Sequence, residues 1–131
     1  MIFVDTGAWF AFVVRSDPNH LAARNWLEKN SEVLITTDYV VDETLTLLRA
    51  RGEDRRAIEL GESFFDGSVA VVYRLSETDL LAAWDVFRLY HDKEWSFTDC
   101  TSRVVMHRLE ITQAVAFDKH FRQFGTVDVL P

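Results

Sequence analysis

Short apolar runs alternate along the chain with longer stretches in which apolar positions recur every three to four residues. The first run, Met1 to Val4, has no polar alternation, which suits a strand covered on both faces at the centre of a parallel sheet. It runs into Asp5 and a helix from Thr6 to Val14. Ser16-Asp17-Pro18-Asn19 reads as a turn, with Pro18 opening a second helix that carries Leu21, Ala22, Trp26 and Leu27 on one stripe and ends at Lys29-Asn30-Ser31. Val33 to Thr36 is the second strand. Thr37 or Asp38 then caps a helix through Leu48 to Arg51, closed by Gly52. A helix from Asp54 to Phe65 stops at Asp66-Gly67, and the β-branched run Val69 to Tyr73 is strand three. Ser76-Glu77-Thr78-Asp79 starts a helix to about His91, and Ser96-Phe97-Thr98-Asp99 opens another with Cys100, Val104, Val105 and Leu109 at apolar positions. Ile111 to Phe117 gives strand four, Lys119 to Phe124 a short helix, and Val127 to Val129 a closing edge strand. Strands alternating with helices predict an α/β fold: one three-layer α/β/α domain over residues 1–131, with a central parallel sheet of about five strands and right-handed crossovers.

Composition narrows the class. Hydrophobic residues make up 48% of the 131, with five Gly and two Pro, which excludes disorder and leaves room for a core of ordinary size. Cys100 is the only cysteine, so there is no intramolecular disulfide, and a reducing compartment is the simpler expectation. No signal-peptide pattern and no apolar run long enough to span a bilayer is present, so a cytoplasmic protein with no membrane role is expected. A formal charge of −7 argues against non-specific nucleic-acid binding through a basic face. It leaves room for a nucleic-acid substrate engaged through a divalent cation held by acids. Arg49, Arg51, Arg55 and Arg56 form a local positive patch, which base rates for surface charge assign to a solvated surface.

The acids fall at telling places. Asp5 follows strand one and Asp118 follows strand four. Glu43 lies one to two turns into the helix after strand two, and Asp99 opens the helix before strand four. All four can face the carboxyl edge of the sheet, where open α/β sheets bind ligands. Carboxylates converging there do not all stay ionised without a cation, and hard oxygen donors suit Mg²⁺ or Mn²⁺, whereas no His/Cys cluster has zinc spacing. A metal so held activates water and neutralises charge on a scissile phosphate.

A plainer reading accompanies each acid. Asp5 and Asp118 can cap the helices that follow them, and Asp99 fills the third helical position of a Ser-x-x-Asp capping box begun by Ser96. Glu43 resists this treatment. It sits past the first turn between Tyr39 and Leu47 on the apolar margin, while Asp42 shares the polar face with Asp38 and Arg49. An acid on that margin needs a partner.

Val4-Asp5-Thr6-Gly7-Ala8-Trp9, Thr37 to Glu43, Ser96-Phe97-Thr98-Asp99-Cys100 and Ala116-Phe117-Asp118-Lys119-His120-Phe121 resemble, in order, the four acidic motifs of PIN-domain ribonucleases. The Ser-Phe-Thr-Asp-Cys segment most resembles the VapC-type toxins of toxin-antitoxin pairs. The resemblance covers nearly the whole chain. It implies Asp5, Glu43, Asp99 and Asp118 as metal-binding and catalytic acids, with Thr6 and Thr98 as hydroxyl support. It also implies Mg²⁺- or Mn²⁺-dependent endonucleolytic cleavage of RNA, a homodimer, and a cognate antitoxin that blocks the site. Many relatives carry Thr or Ser two residues before the fourth acid, where this chain has Ala116, which removes a polar contact beside Asp118.

Two other classes compete. A receiver-type signalling domain, also a five-stranded α/β unit binding Mg²⁺ at strand ends, needs a pair of acids after strand one and an Asp after strand three; Asp5 stands alone and Tyr73-Arg74-Leu75 has no acid. A PIN-like binding module that has lost catalysis would not need all four acids. His20, His91, His107 and His120 fall in different elements and read as surface or half-buried residues. Trp9, Phe12, Trp26 and Trp84 read as core or dimer interface, with any exposed subset suited to an antitoxin groove, and Cys100 as a small core residue.

Overall fold

The computed structural model describes all of residues 1–131. Five strands form one parallel sheet: β1 (Ile2–Val4), β2 (Leu34–Thr37), β3 (Val71–Tyr73), β4 (Gln113–Val115) and β5 (Asp128–Leu130), in the order β3-β2-β1-β4-β5. Six helices connect them: α1 (Thr6–Val13), α2 (His20–Lys29), α3 (Asp38–Ala50), α4 (Asp54–Phe65), α5 (Glu77–Leu89) and α6 (Phe97–Arg108). A 3₁₀ turn, Phe121–Phe124, precedes β5.

The order explains the apolar N-terminus. β1 is central, paired with β2 through Ile2↔Leu34 and with β4 through Phe3↔Ala114, and all three of its residues are buried. The chain builds outward from β1 to β3, then the α5–α6 connection returns it across the sheet to β4. With right-handed crossovers, that reversal of direction puts α5 and α6 on the face opposite α1 to α4 and opens a crevice beside β1 at the carboxyl edge. A receiver domain sets its third strand beside its first; here β3 lies at the outer edge, next to β2 alone.

Beneath that crevice the core is tied by polar contacts as well as packing. The Trp9 indole, 1% exposed, donates from Nε1 to Thr36 Oγ1 at 3.3 Å, and the Thr36 hydroxyl donates to the Val4 carbonyl at 2.9 Å. One residue thus joins β1, β2 and α1 just below Asp5. Trp9 also meets Phe12 and Phe64 edge to face, at 5.6 and 5.0 Å between ring centroids.

Several boundaries differ from the sequence reading. α2 begins at His20 rather than Pro18, because the Asp17 carboxylate accepts from the Asn19 N–H at 2.9 Å and its carbonyl from the His20 N–H, absorbing Pro18 into the turn. Its expected stripe is only partly covered: Leu21 is 66% exposed, Trp26 and Leu27 are half-buried, and Ala23 is the buried residue. β3 begins at Val71 rather than Val69, since an edge strand pairs on one side only. β4 keeps only Gln113–Val115 of the predicted run, matching its short partner β1, and the helix expected from Lys119 is a 3₁₀ turn from Phe121. Thr37 is the α3 cap, its Oγ1 accepting from the Val40 N–H at 3.1 Å, and Gly52 past that helix has φ of 75°, as a left-handed terminus requires.

Candidate active site

Asp5 is held from both directions by its own backbone. Its N–H donates to the Val115 carbonyl at 3.1 Å, extending the β1–β4 ladder, and its carbonyl accepts from the Ala8 and Trp9 N–H groups, starting α1. The side chain is 3% exposed, yet it makes no capping hydrogen bond and its Oδ1 has no partner. The capping reading of Asp5 therefore fails. Burial raises its pKa well above the usual carboxylate range, and the negative charges of Asp118, Asp99 and Glu43 add to the rise; the Thr6 amide offsets only part of it. All three other predicted acids thus act on Asp5.

Each arrives from a different element. Glu43 is half-buried on the second turn of α3, while neighbouring Asp42 is exposed, so the helix register read from the sequence holds. Asp99 is the third residue of α6 and 5% exposed. It does form the capping box: its Oδ2 accepts from the Ser96 N–H at 3.0 Å, and its own N–H donates to Ser96 Oγ at 3.0 Å. Capping and site membership are not alternatives here. The box orients the carboxylate into the cluster, where burial and then Asp118 push its pKa up against the opposing pull of Ser96 and His120. Asp118 does not cap a helix at Lys119. Its Oδ1 accepts from the His120 N–H at 2.9 Å in a tight turn, with the side chain 47% exposed.

That turn brings in a residue the sequence reading left aside. His120 Nδ1 lies 2.8 Å from Asp99 Oδ2 and 3.9 Å from Asp118 Oδ2, and the three side chains offer ligand atoms within 4.8 Å of one another. The turn itself is local, an Asx-type turn in which the His120 N–H donates to Asp118, but the contact with Asp99 lies 21 residues away and leaves no signal in the sequence.

The predicted hydroxyls separate. Thr6 Oγ1 is buried without a partner, whereas Thr98 is half-buried at the start of α6 and its carbonyl accepts from the Thr101 hydroxyl at 2.6 Å. Ala116, 3% exposed, lies in the core. Cys100 is buried, and burial followed by the Asp99 charge pushes its thiol up to about 11, far from a reactive thiolate.

A buried carboxylate oxygen with no protein partner, surrounded by like charges, is the electrostatic setting a cation resolves. Asp99, Asp118 and His120 stand close enough together to hold such an ion, with the charges of Asp5 and Glu43 facing the same place, and carboxylate oxygens suit a hard divalent one.

The PIN domain family model matches residues 2–127. The chain belongs to the PIN-domain family. Across the full length, this PIN domain is similar to the 23S rRNA-specific endonuclease VapC20 of Mycobacterium tuberculosis, at 34% identity over 131 residues, covering 100% of this chain and 99% of that protein. It is also similar to a VapC ribonuclease of Archaeoglobus fulgidus, at 29% identity over 124 residues, 90% of this chain and 77% of the relative. The crystal structure of the M. tuberculosis VapC20, described as a sarcin-ricin loop cleaving toxin, superposes with a TM-score of 0.93 at 32% identity, covering 100% of both chains. FitAcB of Neisseria gonorrhoeae shares the fold, with a TM-score of 0.68 at 18% identity, covering 100% of this chain and 97% of that one.

Proposed function

We propose that this PIN domain is a Mg²⁺- or Mn²⁺-dependent endoribonuclease and the toxin of a toxin-antitoxin pair. Asp5, Glu43, Asp99 and Asp118 are its metal-binding and catalytic acids, with Thr6 and Thr98 as supporting hydroxyls. The observation that carries the reading is Asp5: buried at the end of the central strand, one oxygen without a partner, and pressed by the charges of the other three acids. Full-length similarity to VapC20 supports RNA as the substrate, and the 23S rRNA named for that relative is the first target to test. When bound, the divalent ion supplies an activated water and neutralises charge on the scissile phosphate.

The chain's own residues set the geometry for this chemistry. Asp5, locked by the β1–β4 ladder and the start of α1, is the fixed point, and the Ser96 box holds Asp99 toward it. Asp118, half-exposed on its turn, stands at the open side where an RNA strand can enter. His120 fixes the Asp99 carboxylate from that same side.

No helix is long and apolar enough to cross a membrane, and the reading includes a cytoplasmic protein. It further includes a homodimer and a cognate antitoxin that blocks the site. Leu81, Trp84 and Phe87 on α5 are 60%, 49% and 40% exposed, an apolar surface of the kind a partner chain covers.

The deciding experiment incubates purified, antitoxin-free protein with ribosomes and with total RNA, and maps the new RNA ends. Cleavage at discrete positions in Mg²⁺ or Mn²⁺, abolished by chelator, is expected. Cleavage undiminished in chelator would refute the metal mechanism. No cleavage with metal, together with intact antitoxin binding, would leave the chain as an inactive binding module.

A further inference from the structure

A cleft of about 310 Å³ leads away from the acids between α1 and the C-terminal end of α3, lined among others by Gly7, Phe10, Leu47, Arg51, Phe117 and Asp118. Asp118 of the acid cluster and Arg51 both line it. Glu43 and Leu47 lie on one stripe of α3 and Arg51, four residues further, caps the C-terminal end of that helix, about 12 Å along the axis from Glu43. Its guanidinium lies over the Phe10 ring at 6.0 Å. Arg49, two residues earlier, is paired with Asp54 at 3.2 Å, but Arg51 forms no ion pair. The other acid in the cleft, Asp17, is engaged by the Asn19 amide. At Gly7 an added Cβ would meet nothing within 4 Å, so the wall beside Asp118 is open.

The chain carries a net −7 and presents carboxylates at its reacting end, so a polyanionic strand entering there needs a cation away from the acids. A guanidinium that forms no ion pair suits a phosphate, which it can bind through two parallel hydrogen bonds. Leu47 and Phe117, both half-buried in the lining, offer apolar surface on which the sugar and base of a flanking nucleotide can lie.

We propose that this cleft is the path of the RNA strand, and that Arg51 is a positioning residue that holds a backbone phosphate flanking the scissile one. The inference rests on the ribonuclease reading and deepens it by naming how the strand runs from the acids. Arg51 contributes binding that is equal before and during cleavage, so its loss appears in KM and leaves kcat largely in place.

The test measures binding of a labelled single-stranded RNA oligonucleotide of mixed sequence to Glu43→Gln protein, in Mg²⁺, across a salt series. Adding Arg51→Gln should weaken binding roughly three- to tenfold and make the plot of log affinity against log salt shallower by about 0.7, one single-strand phosphate contact. Arg51→Lys should restore most of the salt slope. Gly7→Leu, which enters open space at an ordinary helical φ, should narrow the cleft and weaken binding with no fall in Tm. In otherwise wild-type protein, Arg51→Gln should raise KM for RNA cleavage. Unchanged affinity and slope in both the Arg51→Gln and Gly7→Leu proteins, with wild-type cleavage intact, would overturn the proposed path alone. A loss of affinity in Arg51→Gln accompanied by an equal fall in Tm and no change in slope would make Arg51 structural and overturn it as well. Absence of cleavage by the wild type would instead remove the ribonuclease reading on which it rests.

Discussion

Asp5→Asn should raise the melting temperature of the metal-free protein at neutral pH. Asp5 is 3% exposed, its Oδ1 has no partner, and Asp118, Asp99 and Glu43 add negative charge to the cost of burial. Its folded pKa is raised. Below the ordinary carboxylate pKa of about 3.9 both folded and unfolded chains carry the proton, and no penalty exists. As pH rises through that value the unfolded chain ionises while the folded one holds its proton, so stability falls with pH until the raised folded pKa is passed, and the penalty is constant above it. Asparagine removes the charge, keeps the shape, and offers donors to the neighbouring carboxylates. The relief should be on the order of 1–3 kcal/mol, the cost of leaving a buried polar group unsatisfied. For a domain of this size that is an upward shift of several degrees, at roughly 4 °C per kcal/mol. Millimolar Mg²⁺ should reverse the order of benefit. The wild type gains about 1.4 kcal/mol when free metal stands at ten times its dissociation constant, and Asp5→Asn gains less. Scanning calorimetry of both proteins from pH 4 to 8, in chelator and in Mg²⁺, reads all of this. A mutant that melts lower in chelator at neutral pH, with a metal response equal to the wild type's, would refute the placement of Asp5 in a cation site.

Other residues separate as clearly. Glu43→Gln should lose most RNA cleavage while Asp42→Asn keeps it, because Glu43 is half-buried toward Asp5 and Asp42 faces solvent; equal losses in a cleavage assay would contradict the α3 geometry. His120→Ala should lower metal affinity or activity roughly 10- to 100-fold, the usual effect of removing a group that holds a ligand carboxylate, and a Mg²⁺ titration followed by melting temperature would detect it without relying on turnover. Ser96→Ala should cost about 1 kcal/mol as a lost helix cap and also reduce cleavage, since the same box aims Asp99; a stability loss with full activity in metal would separate the two roles.

The sheet was legible because its parts obey local rules. An unbroken apolar Ile2-Phe3-Val4 belongs in a central strand, and the Thr37 and Ser96 caps begin helices where the sequence says they should. Glu43 was legible for the same reason, since helical periodicity alone sets it apart from Asp42. Pro18 was misread because the Asp17 side chain competes for the same backbone groups, a contest that propensity does not decide. The exposed Leu21 shows the limit of an apolar stripe, whose burial depends on what packs over it. His120 was out of reach for a different reason: its contact with Asp99 spans 21 residues and exists only once the start of α6 meets the turn that follows β4.

The chain contains its own control for what turns a capping acid into a site acid. Ser76-Glu77-Thr78-Asp79 and Ser96-Phe97-Thr98-Asp99 share the pattern Ser-x-Thr-Asp, and both form complete capping boxes at the starts of α5 and α6. Both acids are closed off from solvent, Asp79 at 0% and Asp99 at 5% exposure, so the local sequence and the solvent exposure are nearly matched. Burial raises each pKa, but their partners differ. Asp79 is answered by the Ser76 amide and hydroxyl, the Tyr73 hydroxyl at 2.8 Å and the Arg108 guanidinium at 2.7 Å, and its pKa falls below the ordinary value. Asp99 has the Ser96 amide and His120 but faces Asp118, and its pKa rises. One carboxylate is neutralised within the protein, locking α5 to α6; the other is left with negative charge that the fold does not cancel. Since the two helix starts are locally equivalent, the difference lies in position. α6 begins where β1 and β4 deliver Asp5 and Asp118, so Asp99 faces like charge at that edge of the sheet, while Asp79 meets the Arg108 guanidinium within the chain.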